Sequence, residues 1–217
     1  MGFPRGMAGG RAGYTLVELM MVVVIIGVSV TAFAPGFSRA MADRRVSIAA
    51  RELIRVGRRA RSDTFGYLRA HLLWITPKAG RVQLLRGRTN SCQLTVWKPV
   101  LDTCTTATRR DCLEDFTLAS LAKGGSIDMR EEQLAGSEVS YVDQAKGRAL
   151  CFAPNGVTYY GQGADIASAT SDMSETVSKT TPGGFVYALH AGTSAPTSTS
   201  RVHRVLFPLG ASPRALR

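Results

Sequence analysis

The cysteines are the residues of this chain whose number and position most clearly predict chemistry. The sequence has four of them, Cys92, Cys104, Cys112 and Cys151, all beyond an apolar N-terminal segment. An even number of cysteines in such a place is typical of disulfides in an oxidising compartment, and four cysteines allow three pairings. Zinc is the alternative, but neither a C-x-x-C pair nor a histidine cluster accompanies the cysteines. We therefore predict disulfides and leave the pairing open.

The histidines and the short motifs give no sign of a catalytic centre. His71, His190 and His203 alternate with apolar residues in segments that read as strands. A histidine in such a segment is more often a surface or hydrogen-bonded residue than a base or a metal ligand. The sequence contains no phosphate-binding loop, no H-E-x-x-H and no G-x-S-x-G. The sequence predicts no enzyme activity, no cofactor and no metal.

One acidic residue, Glu18, stands inside the apolar N-terminal run. Arg5 and Arg11 precede this run, which extends from Leu16 to Phe37. A carboxylate at that depth in a bilayer costs about 2.5–3.5 kcal/mol on insertion scales. An acid retained there is therefore a candidate functional residue.

Two ordinary explanations of the apolar run fit less well. A secretory signal peptide would explain the cleavage-like Ala32-Phe33-Ala34, but Glu18 interrupts its apolar core and Pro35 would directly follow the cut. A plain membrane anchor is the other explanation. The uncharged stretch from Leu19 to Ala34 is shorter than the roughly 20 residues that span a bilayer.

The order Gly13-Tyr14-Thr15-Leu16-Val17-Glu18 resembles the class III signal of type IV prepilins and pseudopilins. The resemblance implies that a prepilin peptidase cleaves between Gly13 and Tyr14 and methylates the new N-terminus. It also implies that Glu18 pairs with the methylated amine of a neighbouring subunit during assembly. Gly27 and Pro35 fall where this family commonly has glycine and proline, whereas Tyr14 replaces the usual phenylalanine.

The charge and the spacing of apolar residues predict the elements that follow. The net charge is +11, and loss of the two leader arginines leaves +9, which favours anionic partners without choosing among them. Residues 14 to about 64 read as one helix with a kink or a locally melted segment at Pro35. Beyond Asp43 its apolar positions recur every three or four residues. Seven arginines occupy the other positions and read as a solvated face or, less favoured, a nucleic-acid stripe: Arg44, Arg45, Arg51, Arg55, Arg58, Arg59 and Arg61.

The rest of the chain reads as strands. We predict strands at 71–76, 81–85, 93–97, 138–142, 148–152, 184–190 and 201–207, a turn at Asn155-Gly156, a loop at 104–115 and a long loop at 161–183. The fold class is therefore α+β, with a long N-terminal helix packed on an antiparallel, β-sandwich-like C-terminal head. The predicted parts are a cleaved leader (1–13), a membrane and assembly segment (14–42) and a periplasmic head (43–217). The head comprises a helical part, 43–64, and a β domain, 66–217.

The segment Phe152-Ala153-Pro154-Asn155-Gly156, weakly echoed by Phe207-Pro208-Leu209-Gly210, resembles the GspH/FimT class of minor pseudopilins. The resemblance implies an inner-membrane, single-pass minor subunit that primes a type IV pilus from a tip or initiation complex. The implied partners are the lipid bilayer, the prepilin peptidase, the assembly platform, other minor pilins, the major pilin and a tip adhesin. Type II secretion is one alternative. DNA uptake is the other, with Arg201, Arg204, Arg214 and Arg217 as the candidate nucleic-acid contacts.

Overall fold

The computed structural model divides the chain into two compact units, Met1–Met41 and Ala42–Arg217. Side chains are not described at 35, 133–135, 138–141 and 174–175. The residues that the structure describes are 14–93, 97, 112–121, 126–135, 138–141, 146–171, 173–175, 185–192, 201–208 and 212–216.

One long helix, α1, runs from Leu16 to Tyr67. Its end lies three residues beyond the predicted end at 64. The helix continues through Pro35. Of the two alternatives predicted there, the locally melted segment is therefore wrong. The physical reason is that a proline removes only one backbone donor, and the bonds of the flanking turns can still hold the helix.

The first of two antiparallel sheets has six strands in the order β3-β2-β1-β6-β7-β8. The predicted hairpin is present at its centre, with residues 77–80 forming the turn and Gly80 N–H donating to the Pro77 carbonyl over 2.9 Å. The six strands are β1 (His71–Thr76), β2 (Arg81–Arg86), β3 (Cys112–Thr117), β6 (Gly147–Phe152), β7 (Thr158–Gly163) and β8 (Ser174–Glu175).

The second sheet has five strands in the order β11-β10-β9-β4-β5. Every pairing that the structure describes in the two sheets is antiparallel. These strands are β4 (Ile127–Ala135), β5 (Glu138–Tyr141), β9 (Phe185–Ala191), β10 (His203–Phe207) and β11 (Arg214–Leu216). Two short helices, α2 (Leu118–Leu121) and α3 (Ile166–Ser171), complete the described elements.

The main core of the head is shared by α1 and both sheets. The apolar stripe that the sequence predicts on α1 is buried, with Leu53 and Ala60 at 0% exposure. It packs with inward residues of the first sheet such as Leu73 and Leu150, and of the second sheet such as Tyr187. A smaller apolar cluster lies on the opposite face of the first sheet, around Leu72, Trp74 and Cys151. The α+β fold class is therefore confirmed, with a helix and two antiparallel sheets around one core.

Several local predictions require correction. The last residues of the predicted loop at 104–115 belong to a strand, since β3 begins at Cys112. The described part of the predicted loop at 161–183 contains the end of β7, helix α3 and strand β8. Strands β4 and β11 had no counterpart in the prediction. Residues 94–96, at the centre of the predicted strand 93–97, lie outside the described residues.

Of the glycines in α1, Gly57 lies closest to the second sheet. A Cβ at Gly57 would stand 2.6 Å from Cε1 of Phe207 and 2.8 Å from Cγ of Pro213. Gly57→Ala should therefore destabilise the head by about 1–3 kcal/mol, because the buried ring must shift and overpacking outweighs the gain in helix propensity. Urea unfolding followed by tryptophan fluorescence measures the change.

The matched control for this prediction is Gly66→Ala in the last turn of the same helix. Nothing lies within 4 Å of a Cβ placed at Gly66, so this variant should gain about 0.5–1 kcal/mol. Equal effects of the two substitutions would contradict the packing described at Gly57.

Candidate functional site

The predicted processing site lies directly before the first turn of α1. Gly13 and the leader lie outside the described residues, whereas Tyr14 is 85% exposed and precedes the helix. Thr15 caps the helix, since its Oγ1 and its carbonyl accept bonds from Glu18 N–H over 3.3 and 3.1 Å. Tyr14 is therefore exposed directly before the capped end of the helix.

The N-terminal half of α1 exposes an apolar surface. Every described side chain from 14 to 41 is exposed. Within the described part of the chain, α1 is the one helix long and apolar enough to cross a membrane, a test of length and composition that a signal sequence also passes. A surface of this size and apolarity requires a cover of lipid or protein. It therefore indicates membrane anchoring.

Glu18 is the one charged residue of the sequence between Leu16 and Phe37. Its carboxylate is exposed on the apolar surface of α1. Because no basic side chain of this stretch can pair with it, a compensating charge has to come from outside the segment. The free amine of a processed N-terminus is a group of that kind.

A cluster of polar side chains joins the part of α1 that begins the head to the segment that contains β10. Nε2 of His203 lies 2.9 Å from Oδ1 of Asp43, and a guanidinium nitrogen of Arg201 lies 3.1 Å from Oδ2. The hydrogen bond from His203, with that from Arg201, lowers the pKa of Asp43 although burial opposes the shift. Arg201, a candidate DNA contact, is thus engaged by a carboxylate of its own head.

This cluster predicts a pH-dependent contribution to stability. A carboxyl whose folded pKa lies below its ordinary value of 3.8 stabilises the fold above that value and loses this effect as the pH falls through the folded pKa. Asp43→Asn should therefore cost about 1 kcal/mol or less near neutral pH and almost nothing at about pH 2. Urea unfolding at the two pH values measures the difference.

His203→Gln should reproduce most of the loss caused by Asp43→Asn. Arg201→Gln should cost less, because the Arg201 side chain is 82% exposed. If the difference in free energy of unfolding between the wild type and Asp43→Asn were the same at both pH values, this would contradict a pH-dependent contribution of Asp43.

Three of the seven arginines that could form a nucleic-acid stripe on the head helix contact other parts of the protein. Arg55 bonds to Glu52 over 2.7 Å and to Glu114 of β3 over 2.6 Å. Arg59 pairs with Glu114 and with Asp63. Arg58 donates to the Pro213 carbonyl over 3.1 Å. These contacts fix β3 and the C-terminal segment to α1, which favours a structural role over a continuous phosphate-binding stripe.

The remaining candidate DNA contacts differ in their surroundings. Arg204 donates to both carboxylate oxygens of Glu132, over 2.7 and 3.2 Å. Arg214 is exposed on the short strand β11, and Arg217 lies outside the described residues. Sequence reasoning missed the acidic partners of these arginines, since Glu132 and Arg204 stand 72 positions apart and no local signal links them.

The cysteines form disulfides in the described part of the chain. Cys92 is bonded to Cys151 of β6, and Cys112 is also disulfide-bonded, whereas Cys104 lies outside the described residues. The predicted disulfide chemistry is confirmed for these three residues. Within the described ranges no group of three or more His, Cys, Asp or Glu side chains is placed to hold a metal ion.

The histidines occupy separate places in the head. His71 is fully buried at the start of β1, where Nδ1 lies 3.1 Å from Oγ1 of Thr64 and 3.0 Å from the Arg69 carbonyl, and burial lowers its pKa. His190 is buried in β9 with Nε2 at 3.7 Å from Asp128. His203 belongs to the Asp43 cluster. The three imidazoles therefore do not form a common site.

Comparison with known proteins identifies the N-terminal segment. Residues 9–34 match the family model of the prokaryotic N-terminal methylation motif. No curated protein and no solved structure matches the chain. The motif implies processing by a prepilin peptidase and assembly with other pilins. The matched motif, the exposed apolar part of α1 that it covers and the α+β head together support a type IV pilin-like protein.

Proposed function

We propose that the protein is a minor pilin or pseudopilin of the GspH/FimT type that primes assembly of a type IV pilus. The observation that carries this proposal is the methylation motif at 9–34, which spans the predicted cleavage site and the first part of α1, where every described side chain is exposed. The protein is a single-pass protein of the inner membrane with a periplasmic head, and a substrate of processing enzymes rather than an enzyme. Its mature form joins a tip or initiation complex.

In this proposal the apolar half of α1 holds the subunit in the bilayer until the assembly platform extracts it. Burial of an unpaired carboxylate in an apolar environment is costly, so Glu18 enters the filament core most readily when its charge is compensated. The methylated N-terminal amine of a neighbouring subunit supplies that charge and fixes the register of the two helices. The disulfide-bonded head then makes the lateral contacts with other minor pilins, the major pilin and a tip adhesin.

A count of surface filaments tests the priming function. A strain that lacks this protein should lose its pili and regain them when the retraction motor is also removed. Glu18→Ala in the full-length protein should behave like the deletion, whereas Ser29→Ala, which removes only a side-chain bond within α1, should not. Normal numbers of filaments in the deletion strain, with and without retraction, would overturn the proposal in favour of secretion or DNA uptake.

A further inference from the structure

The C-terminal end of α1 is attached to the head by very few buried side chains. Every residue from Arg61 to Arg69 is described, and Thr64 alone among them is buried, with 0% exposure. The aromatic side chains next to it are exposed instead, Phe65 by 48% and Tyr67 by 60%. Segments with so little buried apolar surface are those that open most readily in a folded protein.

The side chain of Thr64 contacts a buried histidine. Its Oγ1 lies 3.1 Å from Nδ1 of His71, the first residue of β1, which is 0% exposed. The Thr64 hydroxyl donates its hydrogen to a carbonyl, that of Ala60 over 2.7 Å or that of Phe152 over 3.4 Å. Oγ1 is therefore an acceptor toward His71. The Arg69 carbonyl, 3.0 Å from the same nitrogen, can only accept as well.

These contacts assign the proton of the His71 imidazole. Because both partners of Nδ1 are acceptors, Nδ1 carries the hydrogen and Nε2 is the bare nitrogen of a neutral ring. Nε2 is buried and has no hydrogen-bond partner among the described residues. A proton that adds to Nε2 therefore creates a charged N–H group for which the closed structure provides no acceptor.

The charged groups around His71 also oppose its protonation. Arg86 of β2 stands directly opposite His71 in the strand register, and Arg59 of α1 is a second cation that disfavours an imidazolium. Asp63 of α1 favours the charged ring, but its carboxylate also pairs with Arg59 over 3.4 Å. On β6 the opposite residue is the uncharged Phe152. Burial is the largest cause that lowers the pKa of His71 from its ordinary value of 6.5.

We propose that protonation of His71 opens the end of α1, so that mild acid loosens this part of the head while both sheets stay folded. Solvent reaches Nε2 only if the segment after Thr64 moves away from the ring. Tyr67, whose ring centre lies 6.4 Å from that of His71, belongs to this segment. Leu68 follows with a φ of 52°, so that opening also relieves backbone strain. The rest of β1 keeps both of its neighbouring strands, β2 and β6.

The direction of the pH dependence follows from the lower pKa of His71 in the closed form. Above about pH 6.5 the ring is neutral in the open and the closed form, and His71 does not affect opening. Below that value the open form binds the proton more strongly, so the end of α1 loses stability as the pH falls. At pH 5.5 an exposed imidazole is protonated about ten to one. Opening should therefore become up to about tenfold more favourable than at pH 7.5.

Hydrogen exchange of the full chain in mild detergent tests this proposal. Protection factors are measured at pH 7.5 and 5.5 for the last three amides of α1, at positions 65–67, and are corrected for the effect of pH on intrinsic exchange. In the wild type they should fall about five- to tenfold. His71→Asn keeps a donor in the place of Nδ1–H but cannot be protonated, so its change should stay below about twofold. The amides of α3 (Ile166–Ser171) are the internal control and should change equally little.

A second measurement needs no substitution at His71. The chain has three histidines, so isotope-labelled histidine gives three imidazole signals in an NMR spectrum, which His190→Gln and His203→Gln assign. The His71 ring should be the neutral Nδ1–H tautomer at pH 7.5. Its uptake of a proton should accompany the loss of protection at positions 65–67.

Thr64→Val tests the contact that attaches the helix end. It keeps the branched shape of the side chain but removes the hydroxyl, so protection at positions 65–67 should fall about fivefold already at pH 7.5. Ser62→Ala, which removes an exposed hydroxyl close by in the same helix, should leave protection unchanged.

Three results would each overturn the proposal. The first is an Nε2–H tautomer of His71 at neutral pH. The second is a pH dependence in His71→Asn as large as that of the wild type. The third is an equal loss of protection in α3 and at the end of α1, which would mean that acid acts on the whole head. None of these measurements depends on the priming function, which the filament count tests separately.

Discussion

Glu131→Gln should destabilise the head by about 3–5 kcal/mol, one of the two largest effects expected of any change in this structure. Glu131 of β4 forms an ion pair with Arg148 of β6, and the two side chains are 6% and 1% exposed. The substitution keeps the shape of the side chain but removes its charge. Arg148 then remains buried and charged, because a guanidinium does not lose its proton in proteins.

The surroundings of this pair explain why water cannot replace the missing charge. The pair joins the two sheets at a point where Tyr160 of β7 stacks on Phe185 of β9, with ring centres 4.4 Å apart. Burial raises the pKa of Glu131 although Arg148 opposes the shift, and burial raises the pKa of Tyr160 to about 12. A guanidinium that has lost its carboxylate partner in this environment bears much of its cost of desolvation.

The neighbouring residue provides a matched control. Glu132 of the same strand pairs with Arg204, whose side chain is 42% exposed. Glu132→Gln should cost about 1 kcal/mol, because the Arg204 guanidinium can be solvated once its partner is neutral. The double variant Glu131→Leu with Arg148→Met should recover most of the stability lost in Glu131→Gln, since neither charge is then buried.

Urea unfolding of the full chain in mild detergent measures these effects, with Trp74 and Trp97 of the head as fluorescent reporters. Equal losses of stability in Glu131→Gln and Glu132→Gln would contradict the argument that the buried charges of Glu131 and Arg148 must compensate each other. A double variant that recovers no stability would contradict it as well.

The strand that carries Glu131 also shows where prediction from the sequence fails. Three charged residues follow one another in β4, Arg130, Glu131 and Glu132, so the strand lacks the alternation of polar and apolar residues that identifies strands. Arg130 is neutralised by Asp128 within β4 itself. The two glutamates are neutralised by β6 and β10. The latter partners come from other strands, so a local pattern could not reveal them.

The elements that could be predicted are those with local signals. The apolar run and the stripe of α1, the turn of the first hairpin and the Asn155-Gly156 turn all arise from residues that are close in sequence. At that turn Gly156 has a φ of 85°, and Oδ1 of Asn155 accepts the N–H of Val157 over 3.1 Å. These are the conditions under which an Asn-Gly pair forms a tight turn.

The residues of the candidate site differ in the same way, since some have a local signal in the sequence and others meet only in the folded protein. The segment from Gly13 to Glu18 could be found because its residues are consecutive. The Asp43 cluster could not, because Asp43 and His203 are 160 positions apart and meet only in the folded head.

Removal of the disulfide between Cys92 and Cys151 should have the second large effect on the stability of the head. The double variant Cys92→Ala with Cys151→Ala should destabilise the head by about 4 kcal/mol. The two cysteines are separated by 59 positions, and opening a closed loop of this length increases the conformational entropy of the unfolded chain. Both residues are also buried in the smaller apolar cluster, so their packing is lost with the bond.

The structure suggests that the folded state is affected as well. Cys151 lies in the central strand β6, whereas Cys92 lies in the segment after β2, where its carbonyl accepts the Nε1–H of Trp97 over 3.2 Å. Without the disulfide this segment loses its covalent link to the first sheet. We therefore expect the fluorescence of Trp97 to change at lower urea concentration than that of Trp74 in the double variant.

The reductant dithiothreitol supplies the matching control. It should lower the stability of the wild-type protein by about as much as the double substitution does or by more, since Cys112 is disulfide-bonded too. In the double variant the reductant should have only the smaller effect of the Cys112 bond. A loss below about 1 kcal/mol on removal of the Cys92–Cys151 bond would contradict the loop-closure argument. A large loss would mean that the head reaches full stability only in an oxidising compartment.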